Sequence, residues 1–267
     1  MRRFVTWNAS PLAIALCASA SAAAIDWSQV DETMGRKGTD QPGGVHRYGL
    51  PRSDLSVTVD GVPIKPALAL GSWLAFLPAG DGAMCMGDLV LTDTEISPVM
   101  QRLVEGGVEI TAIHNHLLRT SVPVFYMHVA AHGDALKLAE TVRAGLALSK
   151  TPLARTTPSP TPAPLELDTA AIEKTLRDRG TATAPNFQPT GGGKAAITGD
   201  FALLGNEVNP VLRALRQHGI EVTALHSHMI DDSPHLFFMH FWANDDAQRL
   251  ALGLRAALDL ANLKRGS

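Results

Sequence analysis

A chain of 267 residues can hold one large or two small domains, with ample material for a core. Hydrophobic residues make up 45% and charged residues 18%, the profile of a globular protein. A formal charge of -3 and the lack of any Lys/Arg stripe exclude an electrostatic fit to nucleic acid.

Residues 1–24 read differently from the rest. Arg2 and Arg3 precede the apolar run PLAIALCASA, and SASAAA then offers several small-residue cleavage sites. That is the pattern of a secretory signal peptide, too short for a stable bilayer anchor. No later stretch is long and apolar enough to span a membrane, so the mature chain is expected to be exported (periplasmic or secreted) and soluble. Cys17 raises the question of a lipid anchor. Leu16 stands where a lipobox needs a small residue, which favours plain cleavage. The mature chain then keeps only Cys85, which cannot close an internal disulfide and reads as a small buried hydrophobe.

The chain repeats itself. Sliding the sequence by 112 positions aligns Gly87–Leu148 with Gly199–Leu260 without a gap, with 26 identities in 62 positions. This divides the chain into an N-terminal repeat (25–150), a Pro/Thr-rich linker (151–166) and a C-terminal repeat (167–267). The linker, TPLARTTPSPTPAPLE, suits a stiff extended segment. Ahead of the matched region the first repeat carries extra chain, in which SVTVDGVPI predicts a hairpin turning at Asp60-Gly61.

Within each repeat, GDLVL and GDFAL predict a short strand beginning near the Gly-Asp pair. Ser97-Pro98 and Asn209-Pro210 then suggest a helix cap followed by proline at the first helical position. Gly107 and Gly219 are placed to end those helices in the left-handed conformation. VEITAIHNH and IEVTALHSH are β-branched strands, followed by strands through VPVFYMHVA and HLFFMHFWA. Asp134 and Asp246 start final helices with apolar residues at helical spacing. The expected fold is α+β, a tandem duplication of a β-α-β-β-α unit with helices packed on one side of a mixed or antiparallel sheet. Because each repeat leaves a sheet edge exposed, the halves are expected to pair about a pseudo-two-fold axis.

Six of the ten histidines fall at duplicated positions: His114, His116 and His128, and His226, His228 and His240. Residues i and i+2 of a strand share a face, so the two histidines of each H-x-H project together. An antiparallel return strand brings the third beside them. Three neutral imidazoles with an open position suit a divalent transition metal, zinc first and copper second. A hydrogen-bonded pocket for a small polar ligand, or three histidines with purely structural roles, would use the same residues. Glu95 and Glu207, also duplicated, are candidates for a fourth ligand or a general base on metal-bound water. Their other role is helix capping. Asp88 and Asp200 follow glycine and read as turn residues, and Glu109 and Glu221 as solvated. Met127 and Met239 should face the core rather than the histidines. His46, His132, His218 and His235 are not duplicated, and of these only His132 is placed to join a site.

GDFALLGNEVNPVLRALRQHGIEVTALHSHMIDDSPHLFFMHFWANDD, with GLPRSDLSVTVDGVPIKPALALGSWLAF earlier, closely resembles the LppY/LpqO family, a bacterial domain of unknown function. The resemblance covers essentially the whole mature chain. It implies an exported protein, sometimes a lipoprotein, and brings no established activity. Members are sometimes labelled LytM-type peptidases, but the upstream H-x(3)-D element of such a site is not evident here. The shortened second half and Leu16 before Cys17 depart from the family pattern. The expected function is an exported metal-binding protein with one three-histidine site per repeat. A metal-dependent hydrolase is its enzymatic form, and a non-catalytic sensor or carrier of a metal or small polar ligand is the alternative.

Overall fold

The computed structural model describes residues 25–153, 167–176 and 186–262. The expected signal peptide with Cys17, and most of the Pro/Thr-rich linker, lie outside the described residues.

The first repeat opens with helix α1 (Trp27–Met34), where the Asp26 carboxylate accepts from the Ser28 amide and Gly35 (φ 69°) ends the helix. Strands β1 (Thr39–Gln41) and β2 (Val45–Pro51) follow. A small hairpin of β3 (Val57–Val59) and β4 (Val62–Ile64) comes next, then the short helix α2 (Pro66–Ala69). The hairpin turns at Asp60 (φ 49°) and Gly61 (φ 81°), the paired positive angles a tight two-residue turn requires. Then come β5 (Gly71–Ala79), β6 (Gly82–Thr92), α3 (Asp93–Glu105), β7 (Glu109–His114), β8 (Val124–Gly133) and α4 (Ala135–Leu146). The second repeat runs α5 (Thr169–Leu176), β9 (Asn186–Gly191), β10 (Lys194–Leu204), α6 (Gly205–Gln217), β11 (Glu221–His226), β12 (Leu236–Asp246) and α7 (Ala247–Leu258). The unit β6-α3-β7-β8-α4 is answered element for element by β10-α6-β11-β12-α7, so the fold is a duplicated α+β unit.

Every strand pair among the described residues is antiparallel. One sheet has six strands in the order β1-β2-β5-β6-β8-β7, the other four in the order β11-β12-β10-β9. Strand alternation sorts the side chains of each sheet onto two faces. Leu89, Leu91, Met127 and Val129 pack against Val99, Leu103, Leu138 and Val142 of the first-repeat helices. Ile197, Phe201, Leu203, Met239 and Phe241 do the same against Val211, Leu215, Leu250 and Leu254. Each fully buried side chain of this size stabilises the fold by about 1.5–3 kcal/mol. The other faces meet across a seam where Val90, Val124 and Tyr126 share one apolar cluster with Ala196 and Trp242. The molecule therefore has four layers, helices outside and two sheets stacked within.

The seam revises how the halves join. They pair through sheet faces, with no ladder between edge strands of the two sheets among the described residues. The hairpin and α2 plug one end of the seam through Val57, Val59, Ile64 and Leu68. Lys65 N donates to Gln188 Oε1 (2.9 Å), and Gln188 Nε2 donates to the Pro63 carbonyl (2.7 Å). Glu221, expected to be solvated, accepts from the Arg119 guanidinium, which also holds Asp60.

Two local expectations are corrected. Pro98 and Pro210 lie inside α3 and α6 rather than at their first position, because both helices begin several residues earlier. The earlier start is held by Glu95 and Glu207, whose carboxylates accept from the Thr92 and Leu204 amides (2.9 and 2.7 Å). The strands holding the Gly-Asp pairs begin at Gly82 and Lys194, so Asp88 and Asp200 sit mid-strand and not in turns. The glycine run at 191–193 closes a tight β9–β10 hairpin, all three residues having positive φ.

Candidate metal centre

His114 and His226 turn toward the seam through one backbone device used twice, while His128 and His240 face it from the regular ladders of β8 and β12. In β7, Ile110 pairs with Val129 on the helix side, while Ala112 pairs with His128 and His114 with Tyr126 on the seam side. The extra residue between them, Thr111, is a β-bulge that changes the parity of the strand. The same irregularity falls between Val222 and Ala224 of β11. Without it, a strand facing the helices at Ile110 would also turn His114 toward the helices.

The result is one cluster rather than two separated sites. Ring centroids of His114 and His116 are 4.9 Å apart, as are those of His226 and His228. His114–His128 is 4.8 Å and its counterpart His226–His240 is 5.0 Å. Across the seam, His116 stacks on His240 at 3.6 Å and His128 on His228 at 3.8 Å. Tyr126 stacks on His116 at 3.4 Å, as Phe238 does on His228 at 3.6 Å. Each distance has its partner under exchange of the repeats, so a local two-fold axis passes between His114 and His226, whose centroids are 3.5 Å apart.

Two groups have ligand atoms all within 4.8 Å of one another: His114, His116 and His128, and His226, His228 and His240 together with His114. His114 Nε2 lies 3.0 Å from His116 Nε2 and 3.3 Å from His128 Nε2. Ligands on a tetrahedral ion with Zn–N bonds of about 2.0–2.1 Å sit roughly 3.3–3.4 Å apart, so the spacing suits a shared ion. His226 Nε2 and Nδ1, His228 Nε2, His240 Nε2 and His114 Nδ1 are buried without a hydrogen-bond partner. Unpaired buried polar atoms are costly and rare in native structures, which makes this concentration of them the mark of a ligand site. The residues present fit a transition-metal ion.

The electrostatics agree. Burial, then the neighbouring imidazoles, lowers the pKa of His114 to about 3. Burial lowers His226 to about 4, and burial and then His226 lower His228 to about 3. His116, His128 and His240 are likewise pushed well down, burial first. All six rings are therefore neutral near pH 7, the form that donates a lone pair to a metal.

Two acids that sequence reasoning set aside belong here. Asp88 pairs directly across the ladder with His128, and Asp200 with His240. Asp88 is 7% exposed, its Oδ1 has no partner and lies 3.9 Å from His128 Nε2. Burial, and then repulsion from Asp200, pushes the Asp88 carboxyl well above the usual range, and burial raises Asp200. Duplication of the Gly-Asp pair was the signal available for them. With His116, His128, His228 and His240 they line a cleft of about 720 Å³ that also includes Arg47 and Trp73.

The structure does not bring Glu95 or Glu207 to this cluster. Thr92, which precedes α3, pairs with Val124, four rungs along the ladder from Asp88–His128. At about 3.3 Å per residue that is roughly 13 Å. The Glu95 carboxylate is consumed by the Thr92 and Lys150 amides and by the fully buried Arg52, which also holds Asp54. Burial pushes Glu95 up, but those two amides and the guanidinium outweigh it and hold the carboxyl below its usual value. Glu207 accepts from the Leu204 and Asn262 amides. Both are helix caps.

The remaining histidines are engaged elsewhere. His46 is held between Asp31 and Asp40, His132 contacts the Ala79 carbonyl and His218 the Ala214 carbonyl. His235 bridges Asp232 Oδ1 (2.6 Å) and Ser227 Oγ (2.8 Å), while Asp232 also accepts from the Leu236 amide (2.7 Å) and Ser227 donates to the Leu236 carbonyl (3.0 Å). This knot ties the β11–β12 turn that carries His228. Met127 and Met239 are buried on the helix side, as expected. Cys85 is buried there too, and burial raises its thiol to about 12. No described helix is long and apolar enough to cross a membrane.

Fold and site together define a duplicated α+β protein whose repeats share one histidine cluster able to hold a metal ion. The chain belongs to the family described as Domain of Unknown Function (DUF1259), whose model matches residues 28–148 and 166–260. No curated protein sequence matches it. Among solved structures it is similar to the trimeric bacterial microcompartment shell protein PduB, at 13% identity over 85% of this chain and 91% of that one, with a TM-score of 0.26. EtuB from Clostridium kluyveri follows at 11% identity over 83% and 90%, with a TM-score of 0.25. At such scores neither likeness bears on what this chain does.

Proposed function

We propose that this is an exported transition-metal-binding protein whose centre is assembled jointly by its two repeats. The observation that carries the reading is the set of buried imidazole nitrogens without partners, meeting about a local two-fold axis. Zinc is the first choice, because the donors are imidazoles with carboxylates nearby and the methionines turn away. Copper is second. Export rests on the basic start and apolar run of residues 1–24.

The cleft beside the cluster supports the hydrolytic form of the reading: a metal held by the histidines would supply Lewis-acid chemistry to a small substrate lodged there. There the acid–base group is Asp88 or Asp200, since Glu95 and Glu207 are spent as caps. A carrier or sensor would use the same ligands without turnover. Metal analysis of the protein purified from its native compartment, beside a His114→Ala/His226→Ala variant, tests the reading. Zinc in the wild type and its loss in the folded variant are expected. A metal-free wild type that also fails to take up Zn²⁺ would overturn it. Cell fractionation with sequencing of the mature N-terminus tests export, and retention of residues 1–24 in a cytosolic protein would refute it.

A further inference from the structure

We propose that the seam holds two metal ions, one on each side of the local two-fold axis, each bound by three histidines and one aspartate. The first set is His114, His116, His128 and Asp88, and the second His226, His228, His240 and Asp200. This deepens the metal-binding reading and rests on it.

Counting donors is the first argument. Six imidazoles meet in two overlapping ligand groups, Asp88 and Asp200 stand across the ladder from two of them, and all eight positions are duplicated. A first-row transition ion takes four to six donors. One ion would therefore leave at least two buried donors without a partner, the costly outcome that buried polar groups avoid. Two ions with His₃Asp sets use all eight, and each set is complete within one repeat.

Geometry is the second. The ligand atoms fall into two groupings, each containing the full histidine triplet of one repeat, and the distances in one triplet reproduce those in the other. Asp88 stands directly opposite His128, and Asp200 directly opposite His240, so each carboxylate shares the face of its histidine. The unpartnered Asp88 Oδ1 is 3.9 Å from His128 Nε2. Two ligands on one ion with bonds of about 2.0–2.2 Å lie roughly 3–4.3 Å apart, a range that includes the spacing of this pair.

Access is the third. Asp88 and Asp200 both line the cleft with His116, His128, His228 and His240, so an ion held by either set would face it.

The test is stoichiometry. The full mature chain is stripped of metal, titrated with Zn²⁺ and read by native mass spectrometry. Co²⁺ is then substituted and examined by electron paramagnetic resonance. Two equivalents per chain are expected, with a spin-coupled signal from the Co²⁺ pair. Asp88→Asn and Asp200→Asn, each near-isosteric, should each weaken one equivalent by at least tenfold and leave the other. A wild type saturating at one equivalent overturns the paired centre and leaves the metal-binding reading standing. Zero equivalents removes both. Two equivalents with unchanged affinities in a folded aspartate variant remove the carboxylates from the ligand sets. Should one variant fail to fold, the wild-type count and the other variant still decide.

Discussion

His114 and His226, 112 residues apart in sequence, lie with ring centroids 3.5 Å apart on the axis that relates the two repeats. Neither repeat could build this contact alone. The duplication made each triplet, and stacking the sheets face to face brought the triplets together.

Removing His114 should empty the first-repeat site and spare the second. Its Nε2 lies 3.0 Å from His116 Nε2 and 3.3 Å from His128 Nε2. His114→Ala is expected to weaken one Zn²⁺ equivalent by more than about 100-fold, beyond the range for groups that merely orient a ligand, and to leave the other. Competition with a chromophoric chelator measures this. Affinity within about threefold of wild type would show that His114 is no ligand.

Acid should destabilise the metal-free protein. The folded pKa values of His114, His226 and His228 are lowered to about 3, 4 and 3, against about 6.5 in an unfolded chain. Between those values the unfolded chain binds more protons, so stability falls as pH drops through 6.5 toward 4. The raised pKa values of Asp88 and Asp200 work in the opposite sense, favouring the fold at low pH, but two carboxyls oppose six imidazoles. A lower urea midpoint at pH 5 than at pH 7.5 is expected for the metal-free chain, with added Zn²⁺ raising the midpoint at pH 7.5. A midpoint that does not change with pH would contradict burial of the neutral rings.

Glu95 separates capping from catalysis. Glu95→Ala leaves the fully buried Arg52 with Asp54 as its remaining carboxylate, and breaking such a pair costs about 3–5 kcal/mol. Glu207→Ala removes acceptors from two amides and should cost about 1–3 kcal/mol. Both variants should keep their full metal content once folded. Loss of metal from either folded variant would return that residue to the site.

Gly87 is predicted to tolerate no side chain. A Cβ there would meet the Trp73 carbonyl oxygen and Leu74 Cδ2, each at 2.7 Å. Gly87→Ala should destabilise by about 1–3 kcal/mol through overpacking and displace Asp88 beside it. Thermal unfolding with a parallel Zn²⁺ titration checks both, and a wild-type melting temperature would sink the packing argument.

Much of this protein is legible in its residues. The duplication, the β-α-β-β-α unit and the Asp60-Gly61 turn follow from local chemistry, as do the Asp134 and Asp246 caps and the core-facing methionines. His114 beside His128, and His226 beside His240, follow from a short hairpin, whereas His116 and His228 lie just past the ends of β7 and β11. The helix starts were misplaced because Ser-Pro and Asn-Pro are strong local signals, whereas the caps at Glu95 and Glu207 compete from three residues upstream of each proline.

The sequence by itself determined which side chains converge within a repeat, because alternation and hairpin pairing act over a few residues. Only the tertiary structure decided that both triplets share one seam. That outcome depends on bulges at Thr111 and Thr223, which reverse strand parity without altering the hydrophobic pattern. It depends equally on the stacking of two sheets, a contact between residues more than a hundred positions apart that no local propensity encodes. The same long-range packing took Glu95 to Arg52 and left Asp88 beside His128, reversing the roles that proximity in the chain had suggested.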